Sequence, residues 1–202
     1  RPGGVGVAAA RAGRYHKGAM TAPAARTAEP GPFRNEPLTD FTRPEHRATM
    51  EKALARDAAS FGRTWPLFLG GEEVAAKGTF DSINPSDAKT VIGRFARAGE
   101  PEAERALAAA WKAFETWKRV PAEQRAEVLF RAARRMRERK HDLSACMVHE
   151  VGKSWAEADA DTAEAIDFLE FYAREAIRLD QPQPLVSLRG TQNELRYLPI
   201  GV

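Results

Sequence analysis

One cysteine, Cys146, stands among 202 residues. A lone thiol excludes an internal disulfide framework and fits a reducing compartment, so a cytoplasmic location is expected. Long apolar runs are missing too. None approaches the ~20 residues a helix needs to cross a bilayer, so no membrane span is expected. Charge of one sign is not in excess either, with 31 Lys and Arg against 28 Asp and Glu. The net of +3 is small, and much of it sits in the first thirty residues. A basic face for nucleic acid is therefore not expected. What remains is ordinary for a soluble globular protein: 43% hydrophobic and 29% charged residues, enough chain for one core, with or without a tail.

Acidic residues are absent before Glu29, while Arg1, Arg11, Arg14, Lys17 and Arg26 are scattered among Gly, Ala and Pro. Residues 1–32 thus read as a disordered leader. A mitochondrial transit peptide has the same composition, and would move the location to the mitochondrial matrix. The other reading is that Met20 is the true start. The leader's lack of an amphipathic face favours it.

Ordered sequence opens at Phe33-Arg34-Asn35-Glu36-Pro37. A helix is predicted from about Pro44 to Ser60, with Met50, Leu54 and Phe61 on one side. Residues 65–74 read as a hairpin turning through Gly70-Gly71. Strands are predicted over 79–85, ended by Asn84-Pro85, and over 90–98. From Pro101 the pattern is helical, with Leu107, Trp111, Phe114 and Trp117 as its stripe. A second helix opens at Pro121 and runs to Gly152. Leu129, Ala132, Met136, Leu143, Met147 and Val151 form one face of it. Its other face carries Glu127, Arg131, Arg134, Arg135, Arg137, Glu138, Arg139 and Lys140, and i,i+4 pairing makes that a solvated face.

The stretch 150–157, Glu150-Val151-Gly152-Lys153-Ser154-Trp155-Ala156-Glu157, organises the rest. Gly152 suits a left-handed helix cap, and Ser154 with Glu157 forms a capping box for the next helix. That third long helix is predicted to run to about Leu179, burying Ala158, Thr162, Ala165, Ile166, Leu169, Ala173 and Ile177. Asp180-Gln181-Pro182 breaks it. Strands are predicted at 185–188 and 194–198, and the chain stops inside Leu198-Pro199-Ile200-Gly201-Val202, which reads as a truncation.

No complete set of reactive groups appears. Cys146, mid-helix between Ala145 and Met147, reads as a packed small side chain, and His149 one turn away adds no third group. Gly152-Lys153-Ser154 is like the end of a phosphate loop. However, Met147 stands where the first glycine belongs, and a helix precedes where a strand is needed. Asp159, Asp161, Glu164 and Asp167 lack the histidines or loop glycine of a metal site. From the residues alone this is an α/β piece without an active site.

Several stretches together resemble the amino-terminal part of the aldehyde dehydrogenase superfamily. Ile83-Asn84-Pro85-Ser86, Ala109-Ala110-Trp111-Lys112-Ala113-Phe114, Glu150-Val151-Gly152-Lys153 and Leu198-Pro199-Ile200-Gly201-Val202 carry the likeness. Phe33-Arg34-Asn35-Glu36-Pro37 and Ala163-Glu164-Ala165-Ile166-Asp167-Phe168 narrow it to the Δ1-pyrroline-5-carboxylate (L-glutamate γ-semialdehyde) dehydrogenases of the bacterial monofunctional type. The resemblance covers residues 33–202. It implies an aldehyde-dehydrogenase-like α/β fold, amino-terminal portion only: short strands, three long helices, then an oligomerisation strand pair. An amino-terminal arm would occupy 33–64, the first part of the NAD-binding domain 65–182, and the oligomerisation strands would begin at 183–202.

The implied activity is NAD-dependent oxidation of glutamate semialdehyde in proline degradation. It proceeds by cysteine attack, hydride transfer to NAD and thioester hydrolysis. The catalytic, oxyanion-hole and NAD-binding residues would all lie downstream of Val202, and Cys146 and Lys153 match none of them. The resemblance places one residue at the substrate: Glu164, on a helix bordering the aldehyde tunnel, near the substrate's polar end. A homo-oligomer is also implied. A different semialdehyde, or a non-enzymatic helical interaction module, are the alternatives.

Overall fold

The computed structural model describes residues 31–202 apart from Ser187. All but the last two residues of the predicted leader lie outside that range. An extended arm, 33–42, leads into α1, Pro44–Ala58. Five short strands follow: β1 Arg63–Trp65, β2 Leu67–Leu69, β3 Glu72–Val74, β4 Thr79–Ile83 and β5 Val91–Ala96. Four helices complete it: α2 Glu100–Trp117, α3 Ala122–Glu138, α4 Lys140–Val151 and α5 Trp155–Asp180. The α/β class expected from sequence holds.

The predicted hairpin is β2 and β3, antiparallel, with Leu67 opposite Val74. Gly70 and Gly71 both take positive φ, 64° and 92°, as a tight two-residue turn requires. Trp65 does not belong to it. It ends β1, which pairs parallel with β5, while β4 pairs antiparallel on the other side, giving the order β1-β5-β4. A parallel pairing over thirty residues of separation leaves no local sequence signal, so sequence pattern alone puts Trp65 in the hairpin.

Helices make the core, and they do so with small side chains. α5 packs on α3 and α4, and α1 on α4. The buried positions include Ala53, Ala122, Ala126, Ala133, Ala145, Ala158, Ala163 and Ala173, with Met50 and Ile166 the largest apolar ones. Alanine lets helix backbones approach closely while keeping helix propensity. On α5 the predicted inward stripe stands: Ala158, Thr162, Ile166 and Ala173 are buried, and Ala165, Leu169 and Ile177 half so.

Three expectations need correction. The second long helix is two, because Arg139 (φ −116°, ψ 18°) leaves the helical region between α3 and α4. The break lets Lys140 turn its side chain inward, to a buried acceptor on α5. Its inward face is also shifted: Ala122, Ala126 and Ala133 are buried, whereas Leu129, Ala132 and Met136 are only half-covered and Val151 is exposed. Finally, the strands expected at 185–188 and 194–198 do not form. The described residues there are extended but unpaired. A strand needs a partner edge, and alternating side chains cannot supply one.

Candidate functional site

α5 begins at the corner singled out in the sequence. Gly152 caps α4 with φ 73°, and a Cβ there would lie 2.9 Å from Pro85 Cγ. The glycine therefore lets the corner sit directly on the Asn84-Pro85 turn, where Ser82 donates to Glu150 at 3.0 Å. Ser154 Oγ accepts from the Glu157 amide and Glu157 accepts from the Ser154 amide, the expected capping box. The Ser154 hydroxyl, donating to the Glu157 carboxylate at 2.8 Å, and then the Ser154 amide hold that carboxyl below its usual range.

The amino-terminal arm lies along α5 and is held by its carboxylates. Asp167 accepts from Asn35 Nδ2 at 2.7 Å and from the Glu36 amide at 2.6 Å. Asp159 accepts from the Thr39 amide at 2.7 Å, from Thr39 Oγ1 at 2.6 Å and from Lys140 Nζ at 2.9 Å. Lys140 also donates to the Pro37 carbonyl at 2.9 Å. Burial alone would raise the Asp159 carboxyl, but the Thr39 donors and Lys140 outweigh it and hold it low. Arg137 bridges Glu36 and Glu170 at 2.6 and 2.7 Å, and Phe33 meets the edge of Phe171. The two motifs that narrowed the family resemblance, 33–37 and 163–168, thus touch each other.

With Asp159, Asp167 and Glu170 engaged, Asp161 paired with Lys153, Glu157 in its cap and Glu175 on Arg178, few acids on α5 remain open. Among the described residues Glu164 has no hydrogen-bond or ion-pair partner, and it is exposed. At 100° per residue it lies opposite the buried Ile166–Ala173 side. Phe168 and Tyr172, four and eight residues on, continue its face as two stacked, half-exposed rings with centroids 5.8 Å apart. A free carboxylate beside aromatic faces can receive a cation.

The other sequence candidates lie on α4 and at the corner between α4 and α5. Burial, then the nearby Asp57 and Glu150 carboxylates, pushes the Cys146 thiol up to about 11, so it is no thiolate at neutral pH. His149 does not face it in a dyad; its Nδ1 meets Asp57 Oδ2 at 2.7 Å and ties α4 to α1. No group of three metal-ligating side chains occurs among the described residues. Nor does the Gly152-Lys153-Ser154 corner fit a dinucleotide phosphate: its glycine rests on proline, its lysine on Asp161, its hydroxyl in a cap. Sequence reasoning missed Lys140, read as part of a solvated basic face, and the anchoring role of Asp159 and Asp167. Only the break at Arg139 could have signalled Lys140's inward turn, and no sequence rule announces that break.

Comparison with known proteins agrees with this geometry. A 1-pyrroline-5-carboxylate dehydrogenase of Bacillus pumilus is 48% identical over 171 residues, covering 85% of this chain and 33% of that protein. The 1-pyrroline-5-carboxylate dehydrogenase of Thermus thermophilus superposes with a TM-score of 0.80 at 50% identity, over 85% of this chain and 33% of its own. The Δ-pyrroline-5-carboxylate dehydrogenase of Mycobacterium tuberculosis gives 0.77 at 29% identity, over 88% and 33%. The chain therefore spans about a third of the length of the relatives it matches. Residues 73–202 match the model of the aldehyde dehydrogenase family, and the chain belongs to that family.

Proposed function

We propose that the chain is the amino-terminal third of an NAD-dependent dehydrogenase that oxidises L-glutamate γ-semialdehyde, the open form of Δ1-pyrroline-5-carboxylate, to L-glutamate. The observation that carries this reading is the unclaimed carboxylate of Glu164. It is set on the outer side of a helix whose neighbouring acids are all occupied. An amino aldehyde brings an ammonium group, and Glu164 holds it by charge at the reach the helix fixes. A simple aliphatic aldehyde offers nothing for Glu164 to hold. The relatives named above carry the same activity in their names, and one Thermus structure of that enzyme contains NAD.

NAD supplies the hydride acceptor for such an oxidation. The residues of this chain do not fit it, as the engaged Gly152-Lys153-Ser154 corner shows, so the chain's part lies on the substrate side and in the scaffold. The proposal extends to a homo-oligomer in the cytoplasm. The unpaired backbone of 194–198, with Leu195 and Leu198 exposed, and the exposed Leu185, Val186 and Leu188 before it offer an edge for a second subunit.

In the complete protein, Glu164→Ala should raise KM for the semialdehyde and spare kcat, because the contact is made in ground and transition states alike. A simple aliphatic aldehyde should show a much smaller penalty. Equal losses for both aldehydes, or unchanged kinetics for the semialdehyde, return Glu164 to the solvated face. The isolated chain, titrated with NAD in a calorimeter, should give no saturable heat.

A further inference from the structure

We propose, resting on the reading of Glu164 above, that Asp167 is a positioning residue: it keeps the arm's donors occupied so that Glu164 stays free for substrate. Asp167 stands three residues after Glu164, so the two side chains are neighbours on the helix surface. Both of its oxygens are used, one by Asn35 Nδ2 at 2.7 Å and one by the Glu36 amide at 2.6 Å. Three residues before Glu164, Asp161 is likewise taken, by Lys153.

The arm's course explains why this matters. Its second fixing point is Thr39 on Asp159. From 159 to 167 the helix rises about 12 Å, and from Glu36 to Thr39 an extended chain covers about 10 Å. The arm therefore runs extended and antiparallel to α5, and Glu164 lies along the helix between its two points of attachment. Two vacant donors beside a free carboxylate would not stay vacant. With Asp167 removed, the Glu36 amide and the Asn35 amide lose their acceptor, one helical turn from Glu164. The carboxylate then turns into the arm and away from the ligand.

The test uses the complete protein, with steady-state kinetics on glutamate semialdehyde and on a simple aliphatic aldehyde. Glu164→Gln should raise KM for the semialdehyde about tenfold. Asp167→Ala should do nearly the same, with kcat and the aliphatic aldehyde within about twofold of the parent. The double variant should be no worse than Glu164→Gln by more than about twofold, because Asp167 acts only through Glu164. Asp167→Asn keeps an acceptor oxygen for the Glu36 amide and should retain most of the parental KM.

An Asp167→Ala effect that persists undiminished in the Glu164→Gln background, or that strikes both aldehydes alike, overturns the proposal in favour of general support. So does an Asp167→Asn variant as impaired as Asp167→Ala, since charge and not the tether would then be at work. A normal Asp167→Ala beside an impaired Glu164→Gln fells this proposal alone. An unimpaired Glu164→Gln fells the substrate assignment as well. Should Asp167→Ala fail to fold, Asn35→Ala tests the same account from the other side: it removes a rival donor instead of freeing one, so KM for the semialdehyde should stay within about twofold of the parent. A rise of about tenfold there overturns the proposal, since no vacated donor could cause it.

Discussion

Two helices of this chain have equally good apolar stripes and opposite fates. α5 buries the centre of its stripe, with Ile166 and Ala173 at 0% exposure. α2 buries nothing, and Leu107, Trp111 and Trp117 stand 47%, 45% and 45% exposed. What covers α5 is polar as much as apolar. An arm docks on it through carboxylates, and α3 and α4 fit it with alanines. What touches α2 is slight by comparison: the β2 strand, and Gly201, so close over Trp111 that an added Cβ would sit 2.9 Å from the indole. Amphipathic periodicity reports which side of a helix is apolar. It does not report whether a partner is present.

Removing the acceptor from the clasped side should give the largest effect. Asp159 and Lys140 are at 1% and 9% exposure, so Asp159→Ala leaves a buried ammonium and two Thr39 donors without their acceptor. Breaking a buried pair from one side costs about 3–5 kcal/mol. Urea unfolding of the chain should register it, and a loss below about 1 kcal/mol would mean that the arm is not what secures α5. Replacing both partners, Asp159→Leu with Lys140→Met, should cost less than the single change.

Next comes the corner between α4 and α5. Gly152→Ala meets two penalties at once, a φ of 73° and a Cβ 2.9 Å from Pro85 Cγ. A left-handed non-glycine residue costs ~1–2 kcal/mol before any clash. A destabilisation of at least that size is expected by the same assay. Its absence would show that the Asn84-Pro85 turn gives way freely.

Acid should loosen the clasped side in two stages. His141 is half-buried beside Phe41, with its Nδ1 atom buried and unpartnered. Burial lowers its pKa, against the pull of Asp159, and Lys140 and His46 lower it further. A histidine held neutral in the fold favours unfolding once the unfolded chain can protonate, so stability should start to fall below about pH 6.5. Asp159 and Glu170 have lowered values for which burial is outweighed by their donors. Their contribution is present above about pH 4 and is lost as pH falls through their folded values. His141→Phe should flatten the first stage and leave the second.

The two halves also differ in how far the sequence foretold them. The Gly152 cap, the Ser154–Glu157 box and the Gly70-Gly71 turn are local, set by a few adjacent residues, and each stands as expected. The inward stripe of α5 was legible for the same reason, since 26 residues of one period leave little freedom of phase. The arm's docking was not, because Asn35 and Asp167 are 132 residues apart. Nor was the inward turn of Lys140, whose place in a basic run pointed to solvent. Glu164 came from resemblance alone. The structure adds that its neighbouring acids are engaged, which no spacing in the sequence reveals.

The smallest expected effect bears most directly on the comparison. Leu107→Gln on α2 removes an apolar side chain that is already half in water. Its loss of burial is worth well under the 1.5–3 kcal/mol of a fully buried leucine, roughly half a kcal/mol in the isolated chain. Ile166→Gln on α5 puts an amide in place of a fully buried apolar side chain, which costs about 1–3 kcal/mol. The two variants therefore differ far more than their shared chemistry would suggest. A second readout separates exposure from mere tolerance. Leu107 and Trp111, one turn apart, and Trp117 further along α2 are all exposed, and exposed apolar side chains favour association. Leu107→Gln should thus lower the weight-average mass of the isolated chain in sedimentation equilibrium while its urea midpoint stays put. A large fall in that midpoint would mean that α2 is covered in solution, and the contrast between the two helices would then disappear.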